Sequence, residues 1–349
     1  MPKSGNRPPP PVSRSTPSTV LDVARLAGVS PSTVSRILNG TARVADDKRQ
    51  AVEAAIVKLK FRPNLSAQGL RSGSTRTIGV LTQELESPYF AGGTKGVEEG
   101  LAGSGYALMV VTGNWSEQEG LERAQLLIAR KVDALVILGG SLTDAHVAEL
   151  AQHLPTAITG RQLIAPGVSS FHCDQIQGGL LATEHLIRLG HRHIAHIAGA
   201  AHHLDSKERC DGYFLAHQRA GLSVDPRLIV AGDFLEASGE RAMHQLFEVG
   251  ATFTAVFCAN DQMLWGARRA LYRRGIRVPE DISLVGVDDL PQSAYMTPPI
   301  TTVRQPIHDL GRAAAIAVLQ ALGAAPAQTI NHPPLELIVR ETTAPPNTH

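Results

Sequence analysis

The chain has no long apolar run: no stretch approaches the roughly 18 residues that a membrane span needs. Its first residues are rich in Pro, Ser and Arg, with no apolar segment to act as a secretory signal. Cysteine is scarce. Cys173, Cys210 and Cys258 lie far apart without C-x-x-C spacing, which excludes a disulfide framework and reads as buried thiols in a reducing compartment. The expected location is cytoplasmic. Catalytic signatures are missing too. Gly92-Gly93 and Gly139-Gly140-Ser141 do not fit G-x-x-x-x-G-K-[ST], so they read as turn or packing glycines and offer no phosphate cradle. His191 with His193, and His202 with His203, lack the helix spacing of a metal site and read as solvent-exposed or capping. No Ser/His/Asp set has motif context, so neither an enzyme nor a cofactor or metal is expected.

What is present is apolar content of 43% over 349 residues, enough for two or three compact units. The net charge of +1 hides an asymmetry. Residues 1–76 hold thirteen Lys or Arg and four Asp or Glu, while the remainder holds twenty and twenty-eight. A basic head on an acidic body brings one end to phosphates and keeps the rest soluble.

Within that head, Thr19–Arg71 reads as a helix, a tight turn at Gly28, and a second helix. Thr19 with Asp22 three residues on is close to a capping box. Ser30 suits an N-cap, and Pro31 takes the first helical position, where its missing N–H costs nothing. Gly40 can close the second helix in a left-handed conformation. Two short helices joined in this way form a helix-turn-helix, whose second helix can lie in a DNA major groove. A third helix is predicted from about Asp46 to Lys60, its Val52, Ile56 and Leu59 packing back on Val23, Leu26, Val34 and Ile37. Residues 1–18 read as a disordered tail, 19–63 as the DNA-binding domain, and 64–75 as a hinge helix and linker.

From residue 76 the pattern changes to short Val/Ile-rich runs alternating with amphipathic stretches. Strands are predicted at Ile78–Leu81, Ala107–Val111, Asp133–Leu138, Thr156–Thr159 and Ser169–Cys173. A second series covers Ile194–Ala198, Leu228–Ala231, Ala255–Cys258 and Ile282–Val287, with a strand-like stretch at Leu335–Thr342. Helices are predicted at Tyr89–Gly103, Ser116–Lys131, Ile176–Leu189, Ser206–Ala220, Ala237–Val249 and Gln262–Arg274. Such alternation argues for parallel sheets covered on both faces, in two doubly wound α/β lobes. Ligands of that architecture bind at the carboxyl ends of the strands.

Several segments together resemble one family. Leu21-Asp22-Val23-Ala24, Ala27-Gly28-Val29-Ser30 and Thr33-Val34-Ser35-Arg36 precede Arg62-Pro63-Asn64, Ala67, Leu70 and Ile78-Gly79-Val80. Further on stand Leu189-Gly190-His191, Ala259-Asn260-Asp261-Gln262-Met263, Val285-Gly286-Val287-Asp288-Asp289 and Thr301-Thr302-Val303-Arg304-Gln305. In this order they resemble the lac repressor family of bacterial regulators, from Thr19 onward. The resemblance implies a periplasmic-binding-protein-like core of two lobes joined by three crossovers. The N-lobe would be 76–174 with 305–334, and the C-lobe 175–304 with 335–349.

The resemblance turns Pro31, Ser32 and Arg36 towards base edges, where Arg36 can donate bidentately to guanine. Thr19, Ser30, Thr33, Ser35 and Asn39 suit phosphates, which position the protein and do not specify sequence. Leu70 fits the family's hinge leucine, a minor-groove wedge, with Ala67 one turn earlier. Gly69 weakens that hinge helix, so it is expected to form only on operator. For the effector, Arg209, Asn260, Asp288 and Gln305 match the family's contacting residues. Phe234 matches an aromatic that packs on a sugar ring, Asp174 a polar rim position, and Tyr89-Phe90 the mouth of the first lobe. Val287 and Ile307 stand where the lac repressor has aromatics, which implies a differently shaped pocket. Vicinal hydroxyls want such carboxylate, amide and guanidinium groups, and a ring's C–H face wants a flat apolar side.

The implied function is a repressor released from a pseudo-palindromic operator by a small sugar or sugar derivative. A corepressor-dependent repressor with a purine-type ligand is the alternative, and a sugar-binding protein without a DNA role a further one. Half-sites require two-fold symmetry, hence a homodimer. With no leucine-heptad segment after Pro345-Pro346, no tetramer is expected.

Overall fold

A computed structural model describes residues 18–39, 44–61, 73–331 and 333–347. The expectations for Gly40, for the break at 62–64, and for the hinge with Ala67, Gly69 and Leu70 lie outside the described residues, as does the tail before Ser18. The chain divides into two compact units, Met1–Thr75 and Arg76–His349.

The first unit is helical: α1 (Val20–Ala27), α2 (Pro31–Asn39) and α3 (Asp46–Leu59). A full capping box starts α1. The Thr19 hydroxyl accepts from the Asp22 N–H at 3.3 Å, and the Asp22 carboxylate accepts from the Thr19 N–H at 2.9 Å. Gly28 ends the helix at φ 65°, a conformation a Cβ would disfavour. Ser30 Oγ then accepts from the Thr33 N–H at 3.2 Å, capping α2. Val23, Ala24, Val34, Val52, Ala55 and Phe61 form the core, with Ile37, Ile56 and Leu59 at its edge. Leu26, expected there, is 44% exposed. A 14-residue α3 turns the small Ala55 inward, and Phe61 beyond its end supplies the remaining bulk. Ser18, expected in the tail, is tied by its hydroxyl to the Leu59 carbonyl at 2.9 Å.

The second unit holds two sheets. Strands β1 (Thr77–Thr82), β2 (Ala107–Thr112), β3 (Ala134–Leu138), β4 (Thr156–Thr159) and β5 (Val168–Phe171) form the first, in the order β2-β1-β3-β4-β5, all parallel. Between them run α4 (Pro88–Gly100), α5 (Glu117–Ala129) and α6 (Asp144–Ala151). Every residue of β3 is fully buried, as its unbroken Ala-Leu-Val-Ile-Leu run requires of a central parallel strand.

The second sheet contains β6 (Ile194–Ala198), β7 (Ile229–Ala231), β8 (Ala255–Cys258), β9 (Ser283–Asp288), β10 (Thr301–Arg304) and β11 (Glu336–Ile338), ordered β11-β10-β9-β8-β6-β7. Helices α7 (Gln175–Arg188), α8 (Leu204–Arg219), α9 (Glu236–Glu248) and α10 (Asp261–Arg273) cover it. After β10 the chain returns to the first sheet as α11 (Ile307–Ala321), packs on α4, and crosses back to β11. It thus passes between the sheets three times, following β5, β10 and α11. One strand departs from the expected parallel pattern: β11 runs antiparallel to β10 as an edge. The expected strand at Leu335–Thr342 is accordingly shorter, and Thr342 leaves it to bond Leu284 through both N–H···O=C and its hydroxyl.

His191 is not solvent-exposed as expected. It is 1% exposed, one ring nitrogen 2.8 Å from the Thr254 hydroxyl and the other 2.9 Å from the Ala344 carbonyl, pinning the C-terminal segment. Cys173 and Cys258 are buried and Cys210 half-buried, all free thiols. Among the described residues no helix is long and apolar enough to cross a membrane.

Candidate DNA interface and effector cleft

On α2, Val34 faces the core, while Pro31, Ser32 and Arg36 are exposed. Ser32 and Arg36 are four apart, so they share one face. Ser30 Oγ lies 2.8 Å from Ser32 Oγ and 2.9 Å from Thr33 Oγ1, so these hydroxyls share protons and remain partly available to a phosphate. Thr19 is more committed: its hydroxyl also donates to the Asp22 carboxylate at 2.7 Å. Ser35 is half-buried. Asn39 ends α2, and its side chain lies outside the described residues, as do Ala67 and Leu70.

In the second unit a cleft opens at the carboxyl ends of the strands, where the two sheets approach each other. Phe90, Arg209, Phe234, Asn260, Asp288 and Gln305, six of the seven expected effector residues, line it together. Asp174 does not. Its carboxylate accepts from the Gln177 N–H at 2.9 Å and caps α7, leaving the polar role to the next residue. That residue, Gln175, joins a buried chain of hydrogen bonds. Arg209 Nε donates to Gln175 Oε1 at 2.9 Å, Gln175 Nε2 to Gln305 Oε1 at 2.7 Å, and Gln305 Nε2 to Asp288 Oδ1 at 2.6 Å. Arg209 Nη1 donates to the Ala259 carbonyl at 2.6 Å. The guanidinium is therefore fixed before any ligand arrives. Asn260 is fixed as well, donating to the Phe234 carbonyl and capping α10 through the Met263 N–H.

Burial carries the Asp288 carboxyl above the usual carboxylate range, although Arg209 pulls it down. Burial likewise raises Asp205. Trp115, Phe234 and Asp288 all line the cleft at positive φ, 57°, 71° and 126°. Non-glycine residues pay for such backbone, and it concentrates where side chains must be aimed.

Several lining residues escaped the sequence: Glu84, Ser87, Trp115, His203, Asp205, Asp233, Leu235 and Gln262. His203, expected exposed or capping, is neither. It occupies the N-cap position of α8 without a side-chain cap bond. Its ring lies 4.0 Å from that of Trp115 and 5.4 Å from that of Phe234, centroid to centroid. Burial, with His202 and Arg209 nearby, lowers its pKa to about 4, so it is neutral at pH 7. The usable signal was position: Glu84, Trp115, His203 and Asp233 all follow within a few residues of a strand's carboxyl end. Val287, by contrast, is fully buried in the core and does not line the cleft, nor does Ile307.

A model of bacterial regulatory proteins of the lacI family matches residues 12–64, and one of the periplasmic binding protein-like domain matches 183–343. The chain is 36% identical over 300 residues to the HTH-type transcriptional regulator GalR of Escherichia coli (strain K12), covering 85% of this chain and 87% of the relative. A crystal structure of the lac repressor dimer bound to operator and the anti-inducer ONPF superposes with a TM-score of 0.81 at 30% identity, over 94% of this chain and 100% of the other. A transcriptional regulator CelR–cellobiose complex superposes with a TM-score of 0.66 at 35% identity, over 93% and 99%. The chain belongs to the lacI family of bacterial regulatory proteins and is a DNA-binding transcriptional regulator.

Proposed function

We propose that this regulator is a cytoplasmic repressor that binds a pseudo-palindromic operator as a homodimer and is released by a sugar-type effector in the cleft. The observation that carries this reading is the pairing of ring faces with prepositioned polar groups. Tyr89, Phe90, Trp115 and Phe234 offer flat apolar surface, while Asp288, Asn260, Arg209 and Gln305 offer acceptors and donors held by their own hydrogen bonds. A sugar ring has an apolar C–H face and a rim of vicinal hydroxyls, and fits such a lining with little reorganisation. A similar regulator has been captured with cellobiose. At the DNA end, Arg36 reads a base edge and the hydroxyls at the start of α2 meet phosphates.

The test is a thermal-shift screen of sugars and nucleobases, followed by operator binding in the presence of each hit. A sugar that raises the melting temperature and weakens operator binding supports the proposal. A nucleobase that tightens the operator complex overturns it in favour of corepressor control.

A further inference from the structure

The charge lining the cleft is one-sided. Glu84, Asp205 and Asp233 contribute carboxyls, and Asp288 one whose pKa burial raises to about 8, while Arg209 is the cation among the described lining residues, His203 being neutral. Arg209 is already engaged with Gln175 and the Ala259 carbonyl, and its Nη2 stands 3.8 Å from Asp205. Asp233 pairs with Arg241 at 3.2 Å, an ion pair with both side chains half-exposed and so only a weak neutraliser.

Glu84 lies just beyond β1 on the first lobe, whereas Asp233 and Glu236 belong to the second. The lobes touch here: Ser87 Oγ donates to Gln262 Oε1 at 3.1 Å, and Gln262 Nε2 donates to Glu236 Oε1 at 3.1 Å. Carboxylates from opposite lobes therefore face one cleft. The rings of Tyr89, Phe90 and Trp115 line the same cleft.

Resting on the sugar-effector reading, we propose that the effector is an amino sugar whose ammonium group seats between Glu84 of the first lobe and Asp233 of the second. Two observations decide for a cation and against an anion. A phosphate or carboxylate on the ligand would meet the Glu84, Asp205 and Asp233 carboxyls and an arginine already hydrogen-bonded elsewhere, whereas an ammonium would offset like-charge repulsion across the cleft. A bare metal ion fits less well, because among the described residues no group of three His, Cys, Asp or Glu side chains is placed to hold one. Burial raises the Glu84 carboxyl; a hydrogen bond from Trp115 opposes this, and Glu86, Asp233 and Glu236 add repulsion.

Titration calorimetry on the full chain tests this with D-glucose and D-galactose, their 2-amino-2-deoxy forms, the N-acetylated forms and D-glucuronate. The expected result is an amino hexose binding roughly tenfold or more tighter than its neutral parent, with the gain lost on N-acetylation. Glu84→Gln should bring the amine-to-neutral ratio towards one. Asp233→Asn should reduce the ratio less, since Arg241 already offsets that charge. A neutral sugar or glucuronate binding as tightly as the amine overturns the amine assignment and leaves the sugar reading standing, as does a ratio unchanged in Glu84→Gln. Failure of every sugar, with a nucleobase binding in the same assay, overturns both.

Discussion

His196 shows how far a side chain's chemistry can be suppressed by its surroundings. It is fully buried on β6, its ring stacked 5.1 Å from Tyr213 and 4.5 Å from Phe257. Nδ1 lies 3.0 Å from the Phe257 carbonyl, which can only accept, so the proton is on Nδ1. Nε2 has no hydrogen-bond partner. Burial lowers its pKa to about 4. Between pH 4 and 6.5 the unfolded chain therefore binds more protons at this site, and stability falls as the pH is lowered through that window. The shift corresponds to roughly 3 kcal/mol at acid pH. His196→Phe keeps the stacking and removes the titration, so its loss of stability from pH 6.5 to 4 in urea unfolding should be smaller than the parent's by about that amount. Equal slopes would show that this histidine does not set the acid limit. In the cleft, Asp288→Ala should abolish effector-driven release and leave effector-free operator affinity within about twofold; a normal effector response in a gel-shift titration would remove Asp288 from the site. Arg209, Asn260, Asp288 and Gln305 were legible because they stand inside contiguous motifs. Gln175, Trp115 and His203 were not, since each acquires its role from partners far away in sequence.

At the scale of elements, strands Thr156–Thr159, Ile194–Ala198 and Ala255–Cys258 were readable to the residue, because buried parallel strands are continuous apolar runs bounded by polar residues. Helix α11 was not read at all. Its Ala-rich sequence packs on both α4 and the first sheet, and His308, Arg312 and Gln320 leave only a thin polar stripe to mark its period. Glycines explain how it approaches α4 so closely. A Cβ on Gly311 would strike the Gly93 carbonyl oxygen, and one on Gly96 the His308 carbonyl oxygen. Gly311→Ala should therefore force the helices apart and cost about 3 kcal/mol, the upper end for overpacking. Gly92→Ala provides the contrast. Its Cβ would meet only the Ile307 side chain at 3.5 Å, an ordinary contact, and alanine favours the helix, so stability should hold or rise by up to about 1 kcal/mol. Urea midpoints for the two variants decide the matter: equal destabilisation would mean that backbone approach between α4 and α11 is not what excludes a side chain.

For the whole molecule, the basic head and the acidic, ligand-binding body must communicate only through free energy, and that imposes a symmetry. If effector weakens operator affinity by some factor, operator must weaken effector affinity by the same factor. The two binding reactions nevertheless differ in their response to ions. In the proposed homodimer, operator binding by two heads displaces counterions from phosphates and should lose roughly a thousandfold or more between 50 and 200 mM salt. A sugar held by hydrogen bonds and a single ammonium–carboxylate contact releases few ions, so its affinity without DNA should fall far less over that range. Leu70, proposed as the minor-groove wedge, sharpens the distinction. Leu70→Ala should weaken operator more than random DNA, because a wedge is rewarded only where the central step kinks. The coupling factor can be measured from both directions: effector affinity with and without saturating operator, and operator affinity with and without saturating effector, at one salt concentration. The two ratios must agree, and both must collapse towards one on random DNA if release acts through the specific, kinked complex. Agreement on operator with an undiminished factor on random DNA would instead mean that effector acts on the electrostatic grip alone, and that neither Leu70 nor the operator's shape takes part in the switch.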